Sequence, residues 1–180
     1  MRGRMQRRRS LVAAWCAVAL VVGATSCVDD EPSAGQDPTE RLVEIYSVAV
    51  TEIAADAPTI PPDEGADDEK RNVFLRASDE TEMTAEVQVG VVNELAEWAN
   101  VRFIDDMEEA VDLEVDGAPV RDDGILIGLG EVSDGEVSAM LTADRYVSDS
   151  GIVVYEVPLR RQGGAWAVEE PLVGVSVRTP

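Results

Sequence analysis

Residues 137–160, VSAMLTADRYVSDSGIVVYEVPLR, decide the fold of this chain. Apolar residues alternate with polar ones before and after the run SDSG at 148–151. Such alternation is typical of a strand with one buried face, and a short run of Ser, Asp and Gly is typical of a turn. The segment therefore predicts two antiparallel strands joined by a tight turn. The alternating residues are Val137, Ala139, Leu141 and Ala143 in the first strand and Val153, Tyr155, Val157 and Leu159 in the second.

The same period of two continues on both sides of this hairpin. Upstream, Ile125, Ile127 and Leu129 alternate and lead into Asp134-Gly135, a dipeptide typical of a two-residue hairpin turn. Downstream, Gly163-Gly164 predicts a turn into a strand at 165–169, and alternating valines follow. The last third of the chain is therefore predicted to be an antiparallel meander. Those valines are Val173, Val175 and Val177.

Three residues in these strands predict local irregularity. Pro158 has no N–H to donate, so its strand is expected to lie at an edge or to be bulged. Gly128 and Gly130 form a G-x-G that lacks the third glycine and the following helix of a dinucleotide-binding loop. We therefore expect them to mark a bulge or a close backbone approach.

The residues before 125 contain two stretches with helical spacing. The sequence DPTE at 37–40 predicts a helix start, with Asp37 as N-cap and Pro38 at the first helical position, and apolar residues recur through Ala55. A second amphipathic helix is predicted from Thr84 to near Asn100. Short strands are predicted at 73–76 and 101–104. The second helix carries its apolar face on Val87, Val91, Leu95 and Trp98.

The predicted fold class is α+β, with N-terminal helices packed on one face of a C-terminal antiparallel β-meander. One domain is expected to span residues 39–180. The order helix, helix, curved meander, with a GG-x-W hairpin at 163–166, loosely resembles the NTF2-like cone. That resemblance concerns the fold alone, and it implies a pocket between the helices and the sheet.

Residues 1–26 have the three parts of an export signal. Five arginines lie among the first nine residues, and residues 11–24, LVAAWCAVALVVGA, are apolar or small. As a helix this run would reach about 21 Å, short of the roughly 30 Å hydrocarbon core of a bilayer. A basic start, a short apolar run and small residues predict a signal peptide rather than a membrane span. The general secretory route is favoured, and Arg8-Arg9 leaves the twin-arginine route open.

The four residues Ala24-Thr25-Ser26-Cys27 resemble the lipobox of bacterial lipoproteins, although the commonest form has Leu where Ala24 stands. The resemblance implies cleavage before Cys27 and attachment of a diacylglyceryl group, with chains such as palmitate, to its sulfur. The alternative is ordinary cleavage after Ala24 or Ser26, which would leave a secreted protein with a free thiol. Two acyl chains anchor a protein stably where one is marginal.

Counting cysteines favours lipidation. The chain has two, and Cys16 lies within the segment that cleavage would remove. Cys27 would then have no partner in the chain, which excludes an internal disulfide. Residues 27–38 are rich in acid, Pro and Gly and predict a tether about 15–20 Å long that holds the domain near the membrane. The expected location is extracytoplasmic, with the lipid at Cys27 as the contact with the cell membrane.

The charge of the chain excludes one class of partner. The formal net charge is −21, and removal of the arginine-rich signal would make the remainder more acidic. Such a body is repelled by phosphate backbones, so nucleic-acid binding is not expected. The chain contains no histidine, so Ser-His-Asp and Cys-His catalysis and the usual His/Cys zinc sites cannot be assembled. No cofactor is expected.

The first candidate functional site is a metal site built from acidic residues. Residues 112–123, DLEVDGAPVRDD, place acids at alternate positions and a glycine at the sixth, as in an EF-hand calcium loop. The loop departs from that pattern at Glu114, at the closing Asp123 and in the strand that follows it. A solvated acidic loop is the alternative. The candidate ligands are Asp112, Glu114, Asp116 and Asp123.

Aromatic residues offer a second candidate, a pocket for a small ligand. Their helical or alternating spacing also fits simple core packing. The expected function is a non-enzymatic envelope binding or accessory module that contacts an envelope protein or a small ligand. The alternatives are a ligand-binding or enzymatic pocket protein and a low-affinity calcium-binding protein. The candidate pocket residues are Tyr46, Trp98, Tyr155 and Trp166.

Overall fold

A computed structural model describes residues 36–57, 70–78, 81–133 and 135–177, all within one compact unit. Two helices and seven strands follow one another along these residues. Two 3₁₀ turns, Met107–Glu109 and Arg121–Asp123, lie between the fourth and fifth of these elements. The elements are α1 (Pro38–Asp56), β1 (Arg71–Ala77), α2 (Ala85–Leu95), β2 (Ala99–Phe103), β3 (Ile125–Val132), β4 (Ser138–Ser148), β5 (Gly151–Gln162), β6 (Ala165–Val168) and β7 (Gly174–Val177).

The strands form one mixed sheet in the order β2-β1-β3-β4-β5-β6, and β7 pairs with β5. The predicted antiparallel meander is confirmed for β3 to β6. The remaining strands do not extend this meander. Strand β1 is parallel to both β2 and β3, and β7 pairs with β5 and not with its predecessor β6. Parallel neighbours follow from the long connections, since α2 carries the chain from β1 back to the same end of the sheet. The predicted α+β class is confirmed.

Helix α1 begins where its sequence predicts. The Asp37 carboxylate accepts hydrogen bonds from the backbone N–H groups of Thr39 at 2.8 Å and Glu40 at 3.4 Å. These bonds satisfy two of the donors that a helix start leaves unpaired. Both helices lie on one face of the sheet and bury their apolar stripes against it. The largest fully buried side chains of this core are Ile45, Ile53, Leu75, Leu95, Ile127, Leu129, Leu141, Tyr155 and Leu159.

The prediction that the second helix runs to near Asn100 is wrong. Helix α2 ends at Leu95, and the Trp98 backbone N–H bonds the Leu95 carbonyl in a closing turn. Strand β2 begins directly afterwards, because Ala99 pairs with Arg71 at the start of the parallel β1–β2 ladder. Trp98 therefore lies in the turn beyond α2 and not on its apolar stripe.

The second face of the sheet is covered at one end only. The segment between β2 and β3 folds over β1, β3 and the end of β4 and encloses a smaller apolar cluster. Tyr146 anchors it, because its hydroxyl donates to the Ala118 carbonyl at 2.9 Å. The rest of this face, over β4, β5 and β7, has no such cover among the described residues. The cluster consists of Phe74, Ile104, Ala110, Val111, Ala118, Leu126 and Tyr146.

Pro158 does not place its strand at an edge, because β5 has neighbours on both sides. On one side it pairs continuously with β4. On the other, β7 pairs with residues 152–155 and β6 with residues 159–162, so Pro158 lies in the gap between them. Its carbonyl accepts from the Glu169 N–H at 2.9 Å on that side. The nitrogen faces the same gap, so the missing donor costs no ladder bond.

The predicted irregularity at Gly128 and Gly130 is confirmed. The register of β3 against β4 shifts between Leu129 and Val132. A Cβ on Gly128 would overlap the Asp144 carboxylate, and one on Gly130 would lie 2.5 Å from the Thr142 carbonyl oxygen. The Asp144 side chain occupies the space beside Gly128, and the backbone of β4 occupies the space beside Gly130.

Several predictions fall outside the described residues. These are the signal peptide at 1–26, the lipidation of Cys27, most of the tether at 27–38, and Asp134 of the predicted two-residue hairpin turn. The hairpin itself is present, with residues 133–137 connecting β3 to β4. In the part of the chain that the structure describes, no helix is long and apolar enough to cross a membrane.

Candidate interaction surface

The uncovered part of the second sheet face is the main candidate surface, and we name it the open face. Alternation along the strands places every second residue on it, starting next to the enclosed Leu126 and Tyr146. Two of its positions are glycines, so the surface is low along β3. Towards β7 it becomes apolar. The open face comprises Gly128, Gly130, Met140, Thr142, Asp144, Ile152, Val154, Glu156, Pro158, Val175 and Val177.

A groove of about 700 Å³ crosses the open face. Gly130 of β3 lines it together with Met140 and Thr142 of β4. One wall is polar: the Ser78 and Thr81 hydroxyls hydrogen-bond each other at 2.8 Å. The opposite wall is formed by Ile152 and Val154. The groove therefore offers hydroxyl and carboxylate groups on one side and aliphatic groups on the other.

One ion pair lies at the inner end of this groove. Arg76 and Asp144 approach to 3.6 Å, with side chains that are 33% and 20% exposed. They stand on β1 and β4, with the side-chain-free Gly128 of β3 between them. The glycine thus lets two non-adjacent strands place opposite charges in contact. Because the pair is partly exposed, we assign it a positioning role rather than a large share of stability.

A second polar cluster lies on the helix face, at the border of the core, with Arg145 buried and Asp56 half exposed. The Arg145 side chain is only 11% exposed, and its Nε donates to the Tyr155 hydroxyl at 3.1 Å. That hydroxyl donates to the Asp56 carboxylate at 2.7 Å, and Arg145 lies 4.0 Å from the same carboxylate. Burial raises the pKa of Tyr155 above its ordinary value, against the opposing effect of the bond from Arg145. Tyr155 therefore stays neutral and bridges two charges.

Arg71 lies near this cluster. Its guanidinium donates to the Ala54 carbonyl at 3.0 Å, in the last turn of α1, where the helix dipole favours a cation. Burial and the neighbouring Arg145 lower the pKa of Arg71. The cluster thus holds the C-terminal end of α1 against β1, β4 and β5. The polar groups of the cluster are hydrogen-bonded to one another and to the backbone of α1, which is typical of a network with a structural role.

Three of the four candidate metal ligands, Asp112, Glu114 and Asp116, lie in a loop that the Val111–Val120 bridge closes. The Asp112 carboxylate accepts from the backbone N–H of Glu114 at 3.2 Å, which is a local turn contact. Asp123 lies beyond the bridge, in the second 3₁₀ turn. Among the described residues no three acidic or cysteine side chains are close enough to hold a metal ion, so this geometry does not gather Asp112, Glu114, Asp116 and Asp123. The calcium site stays a prediction.

The four candidate pocket residues do not surround one cavity. Tyr46, Tyr155 and Trp166 belong to the main core and are each less than 5% exposed. The Tyr46 hydroxyl donates to the Gly130 carbonyl at 3.1 Å, and burial raises its pKa. The Arg41 guanidinium carbon lies over the Trp166 ring, 5.3 Å from the ring centroid. Trp98 instead borders a shallow groove of about 240 Å³ between α1 and the turn after α2.

Sequence reasoning missed Arg145, Asp56 and the Arg76–Asp144 pair. A signal for Arg145 was present, because it continues the inward series of Ala139, Leu141 and Ala143. An inward charge in a strand implies a buried partner. The Arg76–Asp144 pair had no such signal, since it depends on a parallel register that only the folded sheet defines.

The fold and the site define an α+β domain with one partly uncovered sheet face. No family model matches the chain, and comparisons with curated proteins and with solved structures found no match either. The resemblances to bacterial lipoproteins and to the NTF2-like cone therefore stay predictions.

Proposed function

We propose that this protein is a membrane-anchored, extracytoplasmic lipoprotein that acts as a non-enzymatic binding module, with the open face as its binding surface. The observation that carries the proposal is the uncovered apolar end of that face. Val175 is 62% exposed, Val177 45% and Met140 41%. Val175 and Val177 pair with the half-buried Val154 and Ile152 of β5, and Met140 lies further along the face, opposite Pro158.

A contiguous apolar patch on a folded domain marks an interaction site more often than a scattered apolar residue does. The patch here has polar groups on its border, namely the Ser78 and Thr81 hydroxyls and the Asp144 carboxylate. This is the composition of a protein-binding surface, with an apolar centre and a polar rim. We accordingly expect the envelope partner to contact Val154 and Val175 with apolar side chains.

The interior supports binding rather than catalysis. The charged groups of the buried cluster bond one another, and the helix-to-sheet space around them is filled by Tyr46, Tyr155 and Trp166. The chain also contains no histidine to serve as a base near neutral pH. The function is therefore assigned to the outer surface of the domain.

The anchor is tested by mass spectrometry of membrane fractions from cells that express the full chain. We expect the mature N-terminus at Cys27 with a diacylglyceryl adduct. Cys27→Ser should abolish the adduct and the membrane association. Cys16→Ser is the matched control, because that residue would be removed with the signal. Unmodified mature protein in the medium would refute the anchoring part of the proposal.

The binding surface is tested by site-specific photo-crosslinking in intact cells. A benzophenone amino acid is placed at Thr142, on the open face, and separately at Val89, which is 60% exposed on α2. We expect a discrete protein adduct from position 142 and none from position 89. Equal adducts from both positions, or an adduct from position 89 alone, would refute the assignment of the open face.

A further inference from the structure

The geometry points to a docking mode that rests on the proposed binding function and deepens it: the free edge of β7 accepts an extended, lysine- or arginine-flanked segment of a partner protein as an additional strand. Strand β7 (Gly174–Val177) pairs with β5 on one side. Among the described residues, its other side pairs with no strand. Extended segments bind such edges through main-chain hydrogen bonds.

The register identifies the backbone groups that face outward. The Pro158 carbonyl bonds on the β6 and β7 side of β5, and alternate residues of a strand bond on the same side. Val154 and Ile152 therefore bond to their partners Val175 and Val177. The N–H and C=O groups of Gly174 and Ser176 then point away from the sheet. They form a row of donors and acceptors for an added strand.

The side chains of β7 favour an apolar and β-branched occupant. Val175 and Val177 are 62% and 45% exposed, and Val173, which directly precedes the strand, is 77% exposed. An added strand would place every second side chain beside them on the open face. Cross-strand pairs of β-branched residues contribute to the stability of a sheet. The run 172–177, LVGVSV, has no charge of its own to oppose this pairing.

Acidic side chains near β7, three of them against the one Arg178 that directly follows the strand in the sequence, favour a basic occupant. Val177 pairs with Ile152, next to the turn that carries the exposed Asp149. Gly174 pairs with Tyr155, next to the exposed Glu156, and Glu170 precedes the strand. A segment with cations at both ends would meet a carboxylate at each end. A second copy of this chain would bring the same acids and a net charge of −21, so like charges oppose edge-to-edge pairing of two copies.

The test uses the purified full chain and two synthetic peptides measured by isothermal titration calorimetry. In the first peptide, valine and threonine alternate between two pairs of lysines. In the second, glutamates replace the lysines and the core is the same. We expect the lysine peptide to bind and the glutamate peptide to bind at least about tenfold more weakly, given like-charge repulsion. Equal binding of both peptides would overturn the charge argument.

Two substitutions at one position separate strand pairing from simple charge attraction. Ser176→Pro removes the outward N–H of β7 and leaves its bonds to β5 in place, whereas Ser176→Ala leaves the backbone unchanged. We expect Ser176→Pro to weaken lysine-peptide binding by about two- to tenfold, as the loss of one main-chain hydrogen bond implies. Ser176→Ala should bind as the parent does. Equal binding to both variants would overturn the proposal, and so would concentration-dependent dimerisation that Ser176→Pro abolishes in the absence of peptide.

Two controls keep the result interpretable. The melting temperature of Ser176→Pro should match that of Ser176→Ala, and if it does not, Ser176 is replaced by N-methylated serine through semisynthesis to remove the same donor. The experiment is done in solution and does not depend on lipidation. Failure of edge binding with an intact anchor and Thr142 crosslink would therefore reject this docking mode and leave the proposed function standing.

Discussion

Tyr155→Phe is the substitution whose cost the structure defines most closely. The change removes one hydroxyl and keeps the ring, so the apolar burial of this fully buried side chain is unchanged. The hydroxyl accepts from Arg145 Nε at 3.1 Å and donates to Asp56 at 2.7 Å. Both partners are charged, and hydrogen bonds to charged groups contribute about 1.5–3 kcal/mol each.

The two bonds do not contribute equally, because their partners differ in exposure. The Asp56 side chain is 48% exposed and can turn to water, so its bond is discounted to about 0.5 kcal/mol. The Arg145 side chain is 11% exposed, and the loss of its partner at Nε leaves a buried donor unsatisfied at about 1–3 kcal/mol. The expected cost of Tyr155→Phe is therefore about 2 kcal/mol, or roughly 6–10 °C in Tm.

The other two tyrosines provide matched controls. Tyr46 and Tyr146 each donate to one neutral backbone carbonyl, of Gly130 and Ala118 respectively. Each Phe substitution should cost about 1 kcal/mol, half the cost at position 155. The free energy of unfolding is measured by urea denaturation, with the m-value checked for constancy.

One outcome contradicts the reasoning directly. If Tyr155→Phe costs no more than the substitution at Tyr146, Arg145 does not depend on the hydroxyl. A double-mutant cycle with Arg145→Met gives an independent check, because removal of the charge removes the unsatisfied donor. In that background the cost of Tyr155→Phe should fall to that of the controls.

Three further perturbations have expected outcomes. Gly90→Ala should lower the free energy of unfolding, measured by urea denaturation, by about 1 kcal/mol or more. The overlap of the new Cβ with Val43 outweighs the gain of about 1 kcal/mol in helix propensity. Adding Val43→Ala should recover the loss. Asp37→Ala should cost about 1 kcal/mol through loss of the α1 cap, whereas Asp37→Asn should cost much less, and a thermal melt distinguishes them. All three tyrosines have a pKa raised above the ordinary 10.0, mainly by burial, so the native state favours the neutral phenol. The stability that this contributes is present below about pH 10 and is lost as pH rises through the raised values. The absorbance of phenolate at about 295 nm should therefore rise at a higher pH in the native protein than in the urea-unfolded protein.

The antiparallel half of the sheet could be predicted because its determinants are local. Alternating residues and turn residues such as Gly163 and Gly164, which both take positive φ values, lie next to each other in the chain. The start of α1 could be predicted for the same reason, since Asp37 caps a helix that begins one residue later.

The parallel ladders and the interaction surface could not be predicted in the same way. The pairing of Val73 with Ile125 joins strands that are far apart in sequence, and no turn residue specifies it. Trp98 continues the helical spacing of Leu95 in the sequence. The helix nevertheless ends at Leu95, because the chain pairs with β1 from Ala99 onward. The extent of the open face is set by the segment between β2 and β3, which covers part of the same sheet face. The spacing of residues 104–123 does not indicate which part of the sheet this segment will cover.

The gap at Pro158 has a consequence for local opening. Strands β6 and β7 occupy the same side of β5 but share no ladder, since the proline separates their pairing partners. All four residues of β7 are exposed, whereas Trp166 buries β6 in the core. Amide hydrogen exchange in β7 should therefore proceed with a low opening free energy while β6 exchanges only with the whole domain. The sheet thus has one edge segment that can detach and re-form without unfolding the rest.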